Sequence, residues 1–222
     1  NTSSISCTLT AVEASEIGVF NVFGRRSSVG SIVQISSRGG SLLVASRSTL
    51  TLSGHAERDS AIESLSKEHA AAAISVVVFA IDSLTSASLL IDDNSNVALT
   101  GTVHANGTIR ALSAATAVKI TAAVSLAMDG VGIGTALLIL TVSRNSTVTI
   151  VGQAMLGTDS TIFAHNQQGR TSAAVGIILL TMGSTAQILI DDGSAVAVSG
   201  HATNSGSLRA DVGSIGAVVC GM

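Results

Sequence analysis

Two pairs of adjacent acids are the side chains of this sequence most suited to chemistry. Asp92–Asp93 and Asp191–Asp192 stand in closely similar segments, IDDNSNVALTG and IDDGSAVAVSG. Paired carboxylates can bind calcium or serve as acid and base on a glycosidic bond. Acids are also common in turns, because Asp tolerates left-handed backbone and bonds locally. The sequence therefore offers two hypotheses for these acids, a polysaccharide-cleaving site and a set of solvated turns.

The other reactive side chains do not form a recognisable site. No two histidines have the spacing of a metal-binding helix, and the thiols are remote from them. The glycine-rich GVGIGTA (130–136) lacks the Lys-Ser/Thr of a phosphate-binding loop. We therefore predict no cofactor and no metal. The histidines are interpreted as exposed strand positions; they are His55, His69, His104, His165 and His201.

The two cysteines, Cys7 and Cys220, are too few to define a disulfide framework. We interpret them as buried free thiols, with a contact across a junction between subunits as the alternative. Asn-x-Ser/Thr sequons begin at Asn1, Asn106 and Asn145. They are glycosylation candidates if the protein is secreted by a glycosylating cell.

Length and composition restrict the class of protein. The 222 residues can form one domain, residues 1–222, with a large core. The net charge of −3 argues against nucleic acid as a partner. We expect no membrane span, because the apolar runs 70–81, 131–142 and 173–182 are shorter than the ~20 residues of a spanning helix. Since the sequence starts at Asn1 without an initiator Met, we expect a processed product or a fragment.

One unit of sequence recurs along the chain with a period near 48 residues. Each copy has an apolar residue, a turn-like stretch, two alternating apolar residues, a glycine and then Ala or Val two residues later. The four copies are VASRSTLTLSGHA (44–56), IDDNSNVALTGTV (91–103), VSRNSTVTIVGQA (142–154) and IDDGSAVAVSGHA (190–202). Their glycines are Gly54, Gly101, Gly152 and Gly200, and a later apolar column holds Ile62, Ile109, Ile162 and Leu208. The segment 4–12 resembles a degraded earlier copy, which gives about four and a half units.

This repeat predicts an all-β fold. Apolar residues that alternate with Ser, Thr and Ala are the pattern of strands. Short strands and turns that recur at a fixed period are typical of a β-solenoid, in which each coil stacks about 4.8 Å from the last. The chain has no proline and only 2% aromatic residues. Both features fit, since stacked strands bond nearly every N–H and a narrow core excludes large rings.

A short helix over 58–73 is the competing interpretation for one stretch. Ser60 would cap this helix and Glu63 would lie in its first turn. Ile62, however, falls in the apolar column that the other copies share. We therefore favour a strand through Ile62, followed by a polar or briefly helical excursion.

The repeat ILIDDGSAVAVSGHATNSGSLRAD (188–211) and lead-ins such as SAAVGIILLTMGSTAQILI (172–190) resemble the β-helix repeats of large bacterial surface proteins. These proteins include filamentous-haemagglutinin-like adhesins and autotransporter passengers. The resemblance implies a right-handed parallel β-helix, export to the cell surface or beyond, and a structural or adhesive role. It carries no catalytic residue over to this chain.

Two functions follow from these patterns. The first is an extracellular structural or adhesive solenoid that self-associates through exposed edge strands, because the sequence at both ends looks like uncapped strand. The other explanation of these uncapped ends is that the chain is cut from a longer solenoid. Its partners would be other copies of the chain and, in addition, surface glycans. The alternative is a polysaccharide-active enzyme. If one period is one coil, Asp92–Asp93 and Asp191–Asp192 lie in one column about 10 Å apart, near the separation used by inverting glycosidases.

Overall fold

The computed structural model describes the backbone of residues 3–11, 13, 16–21, 31–66, 74–113, 120–130, 137–157, 159–166, 171–181, 185–211 and 218–219. These residues form strands and turns, and none of them is helical. The predicted all-β class with parallel strands is confirmed. In chain order the strands are β1 (Ser4–Ala11), β2 (Glu16–Asn21), β3 (Ser31–Val44), β4 (Thr49–Glu57), β5 (Ala61–Ser66), β6 (Ile74–Ile91), β7 (Asn96–His104), β8 (Thr108–Ser113), β9 (Ile120–Gly130), β10 (Leu137–Val142), β11 (Thr147–Met155), β12 (Thr161–Asn166), β13 (Thr171–Thr181), β14 (Thr185–Ile190), β15 (Ala195–Ala202), β16 (Ser207–Asp211) and β17 (Val218–Val219).

The strands form three sheets. Sheet 1 has the order β1-β4-β7-β11-β15, and sheet 3 has the order β2-β5-β8-β12-β16. Sheet 2 has the order β14-β10-β6-β9-β13-β17, with β3 also paired to β6. Every pair is parallel except β13 with β17. Most strands therefore pair with the matching strand of the next copy of the repeat.

The register of this pairing sets the repeat columns side by side. Four consecutive strands of sheet 1 pair their glycines in one row, Gly54, Gly101, Gly152 and Gly200. Sheet 3 does the same with Ile62, Ile109, Ile162 and Leu208. The strand through Ile62 is confirmed, and the competing helix is wrong for residues 61–66, which are β5. Residues 67–73 of that stretch lie outside the described part.

One hydrophobic cluster draws side chains from all three sheets. In β4, β7 and β11 every second residue is buried, and the alternate ones face outward. Strand β9 differs, because Ala123–Met128 is buried on both faces, as expected for a continuous run of small and apolar residues. The largest fully buried side chains are Leu52, Ile62, Leu89, Ile91, Leu99, Ile109, Leu126 and Met128.

Two turns recur with the repeat, and each places two successive residues in left-handed backbone. The first turn joins sheet 2 to sheet 1, and the second turn joins sheet 1 to sheet 3. Such backbone favours Asn, Asp and Gly. This requirement explains why most residues of the turn columns are polar or Gly without being identical; Ala105 and Leu156 are the exceptions. The positive-φ pairs of the first turn are Ser46–Arg47, Asp93–Asn94, Arg144–Asn145 and Asp192–Gly193; those of the second are Arg58–Asp59, Ala105–Asn106, Leu156–Gly157 and Asn204–Ser205.

Candidate functional site

The acids singled out by the sequence lie in the first turns. Asp92 donates its backbone N–H to Val44 at 2.8 Å, and Asp191 donates to Val142 at 3.1 Å. Ser143, which donates to Ile91 at 2.9 Å, occupies the row between them. The two acid pairs therefore stand in one column with the turn of the third copy between them.

The side-chain carboxylate of Asp92 accepts several hydrogen bonds. It accepts a hydrogen bond from Nε of Arg144 at 2.6 Å and a second, shorter one from the same guanidinium. Oγ of Ser143 donates another at 2.9 Å. The N–H of Asp93 adds a further bond at 2.9 Å. These contacts, those of Arg144 above all, hold the pKa of Asp92 well below its usual range, although burial opposes the shift. Asp92 is therefore ionised at neutral pH, unlike the raised-pKa acid that protonates a glycosidic bond.

The other members of the acid pairs have different surroundings. Asp191 and Asp192 are exposed, and Asp93 is half-buried in left-handed backbone. The guanidinium of Arg144 pairs with Asp92, and this ion pair raises the pKa of Arg144. Among the described residues, no three His, Cys, Asp or Glu side chains group closely enough to hold a metal ion. The contacts are those of an ion pair that joins two neighbouring turns.

We expect acid to remove the contribution of Asp92 to stability. Because its folded-state pKa is depressed, the contribution is complete above the unfolded-state value of about 3.9 and is lost as the pH falls through the folded-state value. The free energy of unfolding of Asp92→Asn should therefore be below wild type at pH 7, and this difference should be clearly smaller near pH 2. Urea unfolding at both pH values measures this difference. Asp191→Asn, at the exposed acid of the same column, is the matched control; an equal deficit for Asp92→Asn at both pH values would contradict the ion-pair role.

A row of serines beside the acids was missed by sequence reasoning. In three of the four first turns, the serine that ends the turn accepts a hydrogen bond at Oγ from the backbone N–H of the serine in the preceding copy. Ser95 accepts from Ser48 at 3.1 Å, Ser146 from Ser95 at 3.1 Å, and Ser194 from Ser146 at 3.0 Å. We call these four residues the serine ladder. A signal was present, because all four copies carry Ser at this position.

The remaining candidates are dispersed. His201 is exposed, while His55 and His104 are half-buried at outward positions of their strands. His55 Nε2 lies 3.5 Å from Oε2 of Glu57. His165 falls in β12, and His69 lies outside the described residues. No two of the described histidines therefore share a site.

The cysteines and sequons are separated in the same way. Cys7 is free, but the prediction that it is buried is wrong: it is exposed on β1, an edge strand of sheet 1 that pairs, among the described strands, only with β4, where Cys7 lies opposite Leu52. Asn106 lies in a second turn and donates Nδ2 to Oδ1 of Asp59 at 3.0 Å. Asn145 is exposed in a first turn. Asn1 and Cys220 lie outside the part of the chain that the structure describes.

Apart from Glu57 of β4, the described residues on the outward face of sheet 1 include no Asp, Glu, Lys or Arg, and the face is rich in hydroxyls. Four outward rows cross its five strands, and none of these positions is Asp, Glu, Lys or Arg. Thr and Ser predominate, and Thr8 and Ser53 share a hydrogen bond of 2.9 Å. The rows are Ser4, Thr49, Asn96, Thr147 and Ala195; Ser6, Thr51, Ala98, Thr149 and Ala197; Thr8, Ser53, Thr100, Val151 and Ser199; and Thr10, His55, Thr102, Gln153 and His201.

The two ends of sheet 1 expose residues that belong to core rows. At the β1 end, Ile5 is 59% exposed although it pairs with the buried Leu50. At the β15 end, Val196 and Val198 are only partly buried, although the same rows are fully buried in β11. A groove of about 490 Å³ lies between the β1 end and the last residues of β3. Each end therefore exposes apolar residues of rows that are buried in the interior strands.

No helix among the described residues is long and apolar enough to cross a membrane.

No protein-family model, curated protein or solved structure matches this chain.

Proposed function

We propose that the chain is a right-handed parallel β-helix of about four and a half coils, one for each ~48-residue repeat. Three observations support this architecture. Consecutive strands pass from sheet 1 to sheet 3 to sheet 2, most strands pair in parallel one repeat away, and one cluster of buried side chains joins the sheets. The right hand rests on the general preference of parallel crossovers and on the resemblance to adhesin repeats.

The proposed role is that of an extracellular or cell-surface structural element that adheres and assembles through its own edge strands. The observation that carries self-association is the exposure of core rows at both ends of sheet 1, at Ile5 and at Val196 and Val198. An open strand edge of this kind is a template for strand addition. The extracellular location rests on the resemblance, and the hydroxyl-rich outward face of sheet 1 is the surface offered to glycans.

The polysaccharide-cleaving alternative lacks a supporting observation in the described residues. Its candidate acids are Asp92, Asp93, Asp191 and Asp192, of which Asp92 is held ionised by Arg144. Cleavage of a polyuronate by a monomeric preparation of this chain would nevertheless favour the enzyme over the structural element.

Self-association is tested by a charge placed on the β15 edge. Val198 lies in an inward row and Ala197 in an outward row of the same strand. We expect wild type to form filaments or large particles and Val198→Lys to weaken association about 100-fold or more, because the junction would bury an unpaired charge. Negative-stain micrographs and sedimentation velocity measure the result.

Ala197→Lys is the matched control, since its side chain would point to solvent in the assembly. It should assemble like wild type. Wild-type protein that sediments as a monomer at all concentrations would refute self-association, and equal effects of the two lysines would exclude the inward face of β15 from the contact. The unfolding midpoint of each variant separates loss of assembly from loss of fold.

A further inference from the structure

Resting on the proposed self-association, we infer one defined junction, in which β15 of one copy pairs in parallel with β1 of a second copy. The register places Val196 beside Ile5 and Val198 beside Cys7. A second copy of this chain supplies a complementary edge, because both edges carry rows of the same sheet. These rows are Ile5, Leu50, Val97, Val148 and Val196, and Cys7, Leu52, Leu99, Ile150 and Val198.

The pleat of the strands selects this register over its neighbours. Ile5 and Cys7 face the same side of β1 as the buried Leu50 and Leu52 of β4. A slip of one residue would turn Val196 and Val198 against Ser and Thr side chains of the outward face and leave the apolar residues in water. Apolar burial at the junction therefore requires an even register.

Sheet 3 fixes which even register is adopted. Leu208 of β16 belongs to the row of Ile62, and Ile17 of β2 belongs to the same row. From Val196 to Leu208 is twelve residues, and from Ile5 to Ile17 is also twelve. Both junction strands can consequently pair at once, β15 with β1 and β16 with β2. A slip of two residues in sheet 1 alone would break this agreement.

The junction also accounts for the surroundings of Cys7. This thiol is exposed, although the described residues of its row in β4, β7 and β11 are buried. In the assembly it would lie between Val198 of the preceding copy and Leu52 of its own chain. Its neighbour across the junction is thus Val198. Cys7 should be open to alkylation in the free protein and protected in the assembly.

Disulfide trapping tests the register. Adjacent parallel strands lie about 4.8 Å apart, within the range of Cα separations that a disulfide spans. In a Cys220→Ser background, Val198→Cys should give a ladder of reducible oligomers on mild oxidation. Two control variants should give no ladder above the dimer. One is Ser199→Cys, on the outward face beside Thr8, and the other combines Val198→Cys with Cys7→Ser.

The outcomes separate this junction from the wider proposal. Assembly of the background protein without a Val198→Cys ladder, and with Cys7 alkylated at the same rate in assembled and free protein, would overturn the junction and leave self-association standing. A background protein that never assembles would overturn both. Because alkylation of Cys7 needs no substitution at Val198, it decides the question even if Val198→Cys fails to fold.

Discussion

Gly152→Ala is expected to lower the free energy of unfolding by about 1–3 kcal/mol, the range seen for overpacked cores. A Cβ at Gly152 would lie 2.2 Å from Cγ2 of Val175, which packs against it from sheet 2, and 3.4 Å from Cδ1 of Ile162. Gly152 is buried in the middle of β11, so neither backbone nor neighbour can move away without disturbing the core. Urea or thermal unfolding measures the loss.

A second substitution tests the cause. Val175→Ala removes the methyl group that the new Cβ would meet, so the double variant should lose less than the sum of the two single losses. Val151→Ala, on the outward side of the same strand, controls for a change in strand propensity and should stay within about 0.5 kcal/mol of wild type. Strictly additive losses in the double variant would contradict the close approach of Gly152 to Val175.

The sequence predicted the glycine column of the repeat, but it did not show why glycine is needed there. Val124 and Val175 follow Gly101 and Gly152 by the same twenty-three residues, and each valine packs against its glycine. Between the shared Ile109 and Ile162 and these valines, the two segments differ in length and composition, so they do not carry the alignment that far. This contact also depends on the distance between two sheets, which the spacing of apolar residues along one strand does not predict.

The acids illustrate the opposite limit of sequence reasoning. Placing Asp92 in a turn column required only the repeat and the chemistry of Asp in turns. Its ionic state depends on Arg144, which lies fifty-two residues later in the chain and one turn away in space. A column that holds Ala, Asp, Ser and Asp shows only that small or polar residues are accepted there. The specific ion pair between Asp92 and Arg144 forms because their turns are neighbours in the fold.

Ser146→Ala is expected to cost about 1–3 kcal/mol of unfolding free energy, the penalty for a buried polar group left without its partner. Ser146 is fully buried, and its Oγ accepts the N–H of Ser95 at 3.1 Å. The adjacent N–H of Asn94 already donates to Arg144, and that of Asn96 to Ser48. Alanine at 146 would therefore leave the N–H of Ser95 without an acceptor at a position closed to water. Equilibrium unfolding in urea measures the cost, and amide hydrogen exchange at Ser95 should accelerate.

Ser48→Ala provides the matched control within the serine ladder. Ser48 occupies the same row and is half-buried, but its Oγ donates to the carbonyl of Ala45 and takes no N–H from another first turn among the described residues. Its removal frees a carbonyl that water can reach, so the loss should be clearly smaller than for Ser146→Ala. Ser194→Ala, half-buried at the other end of the ladder, should fall between the two, because water can replace its bond to the N–H of Ser146. Equal losses at all three positions would mean that the hydroxyls act within their own turns, whereas a graded loss would show that the ladder joins one turn to the next.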